Sequence, residues 1–180
     1  MRSIWLLAAA ALALPAPARA MDVAGHWAVK QGTVKYEVSH ILHEALGTSH
    51  AVQGGADCTA QRCTFHFSVA LDSFDSGDAD RDRDMLAVVD AVEHPRVEVQ
   101  GTGHLAGDDA AVLQLTVRLA GASVELPPLR VTVQRGWWSL QVHGAFPISL
   151  QTFHIPRPAL LGVPISDTVR IYVDLSFGSA

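Results

Sequence analysis

The strongest constraint in the sequence is a period-two alternation of apolar and polar residues. The clearest run places Phe65, Phe67, Val69 and Leu71 at every second position. Because successive side chains of a strand point to opposite faces, this run predicts a strand with one apolar face. The same reasoning predicts strands in the segments 34–38, 65–71, 96–101, 112–119, 123–133, 138–148 and 168–177, and a weaker one in 45–52.

These segments amount to about eight strands separated by turn signals. The signals are Gly54-Gly55, Gly107-Asp108-Asp109, Gly121 and Arg135-Gly136. One apolar and one polar face per strand favours an antiparallel sheet wrapped round a single core, and closure of eight strands into a barrel removes the exposed edges. The sequence therefore predicts an all-β domain, an eight-stranded antiparallel β-barrel, with a β-sandwich as the alternative.

The segment 73–99 departs from the strand pattern. Its first part is crowded with aspartates, which favour a helix N-terminus through capping and the helix dipole. Met85, Val89 and Val92 then recur at helical spacing, and Pro95 closes the segment. We expect one short crossover helix, with its Met/Leu/Val face buried against the strands.

The first twenty residues resemble a secretory signal rather than part of the fold. Arg2 precedes a short apolar run, and Ala18-Arg19-Ala20 is an A-x-A-like cleavage site. The expected domains are a signal peptide, 1–20, and a barrel domain, 21–180, exported to the periplasm. Cleavage removes Arg2 and Arg19 and no acid, so the formal charge falls from −5 to −7. An acidic chain without a basic patch is not expected to bind nucleic acid.

Cys58 and Cys63 bracket four residues, and the exported context favours a disulfide over a metal pair. This spacing suits a bridge across the end of a β-hairpin. Two cysteines alone do not complete a zinc site.

Several patterns that could indicate a metal, a cofactor or catalysis are incomplete. His40, His43 and His50 are close in sequence, but H-E-x-x-H is absent. The G-x-G-x-x-A match at 101–106 leads into a turn and a strand rather than a helix, and the aspartates of 75–84 lack the calcium-loop pattern. Ser49 lacks the glycine spacing of a nucleophile elbow. We therefore expect no metal, no cofactor and no catalytic residue, and a hydrolase is the less favoured alternative.

The segment from Arg81 to Leu86, followed by Asp90 and then Pro95, resembles the helix-to-strand block of the YceI-like family. Further segments resemble that family in the same order: 34–38 leading to His40 and Gly47, 115–119 with Gly121, 124–133, Phe153-His154-Ile155 and 169–175. The resemblance covers most of 34–177. The chain differs from the family at Val88-Val89, where aromatics are common, and at Ala122-Ser123.

The resemblance implies a lipocalin-like barrel in the bacterial periplasm. Such proteins enclose a long apolar cavity, bind polyisoprenoid or other long-chain lipids, and act as binding or transport proteins rather than as enzymes.

Inward strand parity and the predicted helix face give the expected ligand-binding residues. They are Tyr36, Val38, Phe65, Phe67, Met85, Leu86, Val97, Val99, Leu115, Val117, Trp138 and Leu140. The alternative is that these side chains fill a solid core, which would favour a structural or stress-related interaction protein. Of Trp137 and Trp138, parity directs one ring inward and one outward, and the outward ring is a candidate membrane or partner contact. The proline-rich segment 155–164 is a candidate loop over one barrel end, and a homodimer is left open.

Overall fold

The alternating segments form antiparallel strands that close into a barrel. The structure, a computed structural model, describes residues 23–41, 44–60 and 62–179, so the expected signal peptide lies outside the described residues. The strands are β1 Gly25–Ser39, β2 Glu44–Ser49, β3 Val52–Thr59, β4 Arg62–Ala70, β5 Arg96–Leu105, β6 Ala110–Leu119, β7 Ala122–Glu125, β8 Leu129–Arg135, β9 Ser139–Ser149, β10 Ala159–Leu160, β11 Val163–Pro164 and β12 Thr168–Ser179. A 3₁₀ turn, Leu71–Ser73, precedes the helix α1, Ala79–Val88.

The barrel closes where the first long strand pairs with the last. Strand β1 pairs antiparallel with β12 from Trp27↔Ser179 to Val38↔Val169. Its other edge pairs with β3 at one end and with β2 at the other. Strands β7 and β8 likewise share one edge of β6. The ten strands of this sheet therefore occupy eight positions around the barrel, which confirms the predicted eight-stranded architecture.

Two predicted strands differ from those observed. The weak segment 45–52 covers β2, which ends at Ser49, and the first residue of β3, Val52–Thr59, whose other residues were not predicted to form a strand. The segment 123–133 is interrupted between β7 and β8 by Pro127-Pro128. Proline has no backbone N–H to donate to a ladder, so this interruption follows from the sequence.

Gly54-Gly55 was expected to form a turn, and this prediction was wrong. Both glycines lie inside β3 and pair with Phe67 and His66 of β4. Gly54 has a φ of 131°, and a Cβ added to it would lie 2.1 Å from the carbonyl oxygen of His66. Glycine is required here by a close approach of neighbouring backbones rather than by a chain reversal. Gly107-Asp108-Asp109 and Gly121 do fall between strands, and in Arg135-Gly136 the arginine ends β8 and the glycine follows it.

Helix α1 begins as its aspartates predict. The Asp78 carboxylate accepts hydrogen bonds from the backbone N–H groups of Asp80 at 3.0 Å and Arg81 at 3.1 Å. These bonds stabilise the ionised carboxylate and lower the pKa of Asp78 below its ordinary value. Met85 and Leu86 are partly buried against the barrel core, and Val89 is buried.

The expected helical position of Val92 was wrong. The helix ends before it, because Asp90 adopts a left-handed conformation with φ 52°. The N–H groups of Asp90 and Ala91 then bond to the carbonyl oxygens of Ala87 and Leu86, in a Schellman arrangement. Val92 follows this reversal and is 91% exposed. Among the described residues, no helix has the length and apolar character that crossing a membrane requires.

Cys58 and Cys63 face each other near the end of the β3–β4 hairpin and form a disulfide. Cys58 is buried among Val23, Trp27 and Phe177. The structure therefore places the disulfide at the hairpin end, where the spacing predicted it.

A compact turn at residues 151–154 covers the opposite end of the barrel, called the helix end because α1 lies there. Leu150 donates its N–H to the Asp167 carbonyl at 2.9 Å, and its own carbonyl accepts from Phe153 and Ile155. The Asp167 carboxylate also accepts from Ser149 Oγ at 2.7 Å and from the Gln151 N–H at 2.8 Å. Phe153, 1% exposed, packs into the core through this turn.

We predict that Phe153→Ala lowers the free energy of unfolding by about 3–5 kcal/mol, because it leaves a cavity under the turn. For a chain of this size the melting temperature then falls by about 6–20 °C. Ile41→Ala, at a position that is 79% exposed, is the matched control and changes stability by about 0.5 kcal/mol or less. Chemical and thermal denaturation followed by circular dichroism measure both variants. Equal stabilities would contradict the role of Phe153.

Candidate functional site

The barrel interior holds two apolar chambers that are neighbours along its axis. The disulfide-end chamber has a volume of about 170 Å3, and the helix-end chamber has a volume of about 300 Å3. Strand β12 contributes to both chambers: Val173, Leu175 and Phe177 line the disulfide-end chamber, while Val169 and Ile171 line the helix-end chamber. Residues two apart in a strand are about 7 Å apart on one face, so one inward stripe serves both chambers.

Nine of the expected ligand-binding residues line these chambers. Phe65, Phe67, Val99, Leu115 and Leu140 line the disulfide-end chamber. Tyr36, Val38, Met85 and Val97 line the helix-end chamber. Cross-strand pairs such as Phe67↔Val99 and Val69↔Val97 put these side chains on the same inner face. The Phe65 and Phe67 rings are stacked, with centroids 5.4 Å apart, and the centroids of Phe67 and Phe177 are 5.8 Å apart.

Leu86 and Val117 belong to the apolar core without lining either chamber. Val117 is 5% exposed and lies on the inner face of β6 between Leu115 of one chamber and Leu119 of the other. It therefore lies at the boundary between the chambers. Leu86 is partly buried where α1 packs on the barrel core.

The inward placement of Trp138 was wrong. Strand β9 begins only at Ser139, so Trp137 and Trp138 belong to the preceding turn, where strand parity does not apply. Both rings are exposed, by 94% for Trp137 and 80% for Trp138. They form an apolar feature at the disulfide end of the barrel.

Many lining residues were not among the expected ligand-binding residues. They include Val34, Val52, Val69, Leu113, Leu129, Val131, Val133, Val142, Phe146, Val173, Leu175 and Phe177 in the disulfide-end chamber, and Leu71, Phe74, Val88, Val89, Leu119, Ile148, Leu150, Ile155, Ile165, Val169 and Ile171 in the helix-end chamber. Those on β9 and β12 follow the same period-two parity and could have been found by extending it. Leu150 and Ile155 lie in a turn, and no periodic signal marks them.

The two chambers differ in polarity. The helix-end chamber is lined by Tyr36, Arg81 and Asp84 in addition to apolar residues. Among the described residues lining the disulfide-end chamber, Ser68 alone has a hydroxyl or a charged side chain, and its Oγ accepts a hydrogen bond from Arg96 at 2.6 Å. The charged side chains of the described cavity lining are therefore at the helix end.

Tyr36 lies between the strand wall and α1. Its ring covers Gly47, its cross-strand partner, where an added Cβ would lie 2.3 Å from a ring carbon. The ring also contacts Phe74, with centroids 5.6 Å apart. Burial is the main reason that the pKa of Tyr36 is raised, the Asp82 carboxylate raises it further, and Arg81 opposes the shift. Tyr36 is therefore a neutral phenol at physiological pH and can donate its proton in a hydrogen bond.

The described histidines do not form a metal site. His40 Nε2 lies 3.0 Å from the carbonyl oxygen of Val163, and His50 Nδ1 lies 3.0 Å from Thr33 Oγ1. His43 lies outside the described residues. Within those residues no group of His, Cys, Asp or Glu is arranged to hold a metal ion.

Two other patterns also prove to be structural. Ser49 is fully buried, with its Oγ 2.7 Å from Ser73 Oγ and accepting the Ala51 N–H at 3.1 Å. This geometry closes a turn and presents no exposed nucleophile. The segment 101–106 completes β5 and leads through a turn to β6, as the sequence predicted.

Fold and cavity together define a class of protein, the closed antiparallel β-barrel with an apolar interior. The model of the YceI-like domain matches residues 27–177. The chain therefore belongs to the YceI-like family. Among curated proteins, no sequence matches it.

Solved structures share this fold at low sequence identity. BcnA from Burkholderia cenocepacia is 16% identical, with a TM-score of 0.71 over 81% of this chain and 95% of BcnA. A polyisoprenoid-binding domain from Saccharophagus degradans, implicated in plant cell wall breakdown, is 15% identical, with a TM-score of 0.70 over 86% of this chain and 98% of that domain. A YceI protein from Campylobacter jejuni is 12% identical, with a TM-score of 0.62 over 74% of this chain and 84% of that protein. At these identities the likeness shows the fold alone.

Proposed function

We propose that the protein binds the tail of a polyisoprenoid or another long-chain lipid inside the barrel and carries it through the periplasm. The observation that supports this most directly is the pair of neighbouring apolar chambers in a closed barrel. The protein acts by non-covalent binding, not by catalysis. The polyisoprenoid-binding domain from Saccharophagus degradans, which shares the fold, supports the same class of ligand.

The driving force for this binding is hydrophobic. Transfer of apolar surface from water contributes about 25 cal/mol per Å2, or about 0.8 kcal/mol per methylene group. Part of that gain is offset by the ordering of a flexible tail. An isoprenoid tail has no group that needs a hydrogen bond. It therefore suits chamber walls that have almost no hydrogen-bonding groups.

Eleven of the residues expected from the sequence are the proposed binding residues. Trp138 is not one of them, because its ring is exposed outside the cavity. Nine contact the tail from the chamber walls. Val117, at the boundary between the chambers, and Leu86, on α1, support the walls. A tail that occupies both chambers passes Val117.

Native mass spectrometry of protein purified from a periplasmic extract, followed by organic extraction, tests the proposal. We expect a stoichiometric polyprenyl or long-chain lipid, and mature protein that begins after Ala20. Protein that is empty and also takes up no such lipid in vitro would overturn the proposal. It would favour the alternative of a structural or stress-related interaction protein with a filled barrel.

We predict that Val142→Trp abolishes lipid uptake. Val142 lines the disulfide-end chamber, and the larger ring would fill it. Overpacking costs about 1–3 kcal/mol, so the variant should still fold. Gln141→Trp is the matched control, because this neighbour in β9 is exposed. Binding is measured by displacement of a fluorescent fatty acid, with circular dichroism as the folding check. Unchanged uptake by the Val142 variant would contradict a tail in this chamber.

Lipid exchange at a membrane is part of the proposal, and we place it at the helix end. Exposed apolar side chains lie there, with Ile41 79%, Leu161 84% and Val163 41% exposed. The bond between His40 and the Val163 carbonyl holds the 40–41 segment against the β10–β11 hairpin. Pro158 and Ile165, which flank that hairpin, line the helix-end chamber. An apolar rim beside a chamber opening suits contact with a bilayer.

We predict that Ile41→Ser combined with Leu161→Ser slows lipid transfer from donor vesicles at least severalfold, while affinity for a lipid in solution is unchanged. Trp137→Ser combined with Trp138→Ser is the matched control, because it removes two exposed apolar side chains from the other end of the barrel. Stopped-flow transfer of a fluorescent lipid distinguishes the two variants. If the tryptophan variant alone is slow, exchange takes place at the disulfide end.

A further inference from the structure

Among the described residues, the charged side chains of the cavity lining lie at the helix end. Tyr36, Arg81 and Asp84 line the helix-end chamber, and Arg81 and Asp84 are the charged residues among its described lining. A ligand with a polar head and an apolar tail is therefore oriented by the walls. The tail points towards the disulfide end, and the head is left beside α1.

The guanidinium of Arg81 is already engaged by the protein. Its Nε donates to Ser76 Oγ at 2.9 Å, and a terminal nitrogen donates to the Ser76 carbonyl at 2.8 Å. The Asp82 carboxylate completes this loop by accepting the Ser76 N–H at 3.1 Å. Arg81 thus holds the entry to α1, and its charge is flanked by Asp82.

The charges around this end are predominantly negative. The segment from Asp75 to Asp84 has five aspartates and two arginines, a formal charge of −3. Arg83 is paired with Asp80 at 2.8 Å and is largely exposed. Asp84 is not paired with Arg83, and it lines the chamber from an exposed position. A phosphate headgroup, with about −1.5 to −2 charges at pH 7, would be repelled there.

Tyr36 supplies a hydrogen-bond donor for an uncharged headgroup. Its phenol is kept protonated by burial and by Asp82, and it lines the same chamber. A neutral phenol donates to an alcohol or carbonyl oxygen without the cost of placing an anion beside carboxylates.

We infer that the helix end is a headgroup subsite that selects lipids with an uncharged oxygen headgroup, an alcohol or a carbonyl, over lipids with a phosphate. The inference rests on the proposed function, since it assigns the polar end of the ligand that the barrel holds. Tyr36 donates a hydrogen bond to the head, and Asp84 excludes anions.

Farnesol and farnesyl monophosphate test it, because they share one tail and differ only in the head. We expect purified protein to bind the alcohol at least about tenfold more tightly at low ionic strength, with a smaller difference at high salt because screening weakens the repulsion. Asp84→Asn should tighten binding of the phosphate severalfold and leave the affinity for the alcohol unchanged. Asp108→Asn is the matched control: it makes the same charge change in the exposed turn after β5, away from α1, and should alter neither affinity. Tyr36→Phe should weaken binding of the alcohol by about three- to tenfold, because it removes the hydrogen-bond donor.

The outcomes separate the two levels of the proposal. Equal affinities, or tighter binding of the phosphate, would overturn the headgroup inference and leave lipid binding intact. A preference for the alcohol that neither Asp84→Asn nor Tyr36→Phe alters would overturn the assignment to this end of the cavity. Binding of neither molecule, together with an empty protein from the periplasmic extract, would overturn both the inference and the proposed function.

Discussion

The pairing of β1 with β12 is the constraint on which the interior depends. These strands are far apart in sequence, yet their register runs from Trp27↔Ser179 to Val38↔Val169. With this seam formed, the sheet has a continuous inner face, and side chains of two distant segments converge on it. Without the seam, β12 would present an open edge and its apolar stripe would be exposed to water. Closure therefore creates both the cavity and the protection of the sheet edges.

Small residues shape the sheet around the cavity. Gly32 and Gly144 leave room for Val52, Leu175 and Val131, whose side-chain atoms lie within 3 Å of where a Cβ would stand. Gly47 makes room for the Tyr36 ring. These glycines occupy strand interiors, where they weaken the strand locally. Their benefit is close packing round a space that the larger side chains line without filling.

The ends of the barrel are closed differently, and this difference determines how the cavity can be used. At one end the disulfide and Val23 line an apolar chamber. At the other, α1 and the turn at 151–154 lie over a chamber with polar residues. The helix contributes side chains to the chamber. Backbone bonds between Thr48 and Asp75, before the helix, and between Leu71 and Pro95, after it, hold the segments on either side. Chemical variety is thus concentrated where the barrel is covered by helix and loops rather than by strands.

The sequence by itself determined the fold class, the hairpin disulfide, the single helix and most of the inward residues. Alternation, cysteine spacing and capping are local signals, and local geometry fixes their outcome. Sequence patterns misplaced Trp138, Val92 and Gly54-Gly55. Trp138 lies in a turn, where strand parity does not apply, and the left-handed Asp90 ends the helix before Val92. The glycines at 54–55 allow a close approach of neighbouring backbones instead of forming a turn. Only the tertiary structure decided that the barrel is hollow, because cavity volume depends on how side chains from distant strands meet. It alone also brought Tyr36 into the chamber that Asp84 lines, since the strand and the helix that carry them meet only when the chain has folded around the cavity.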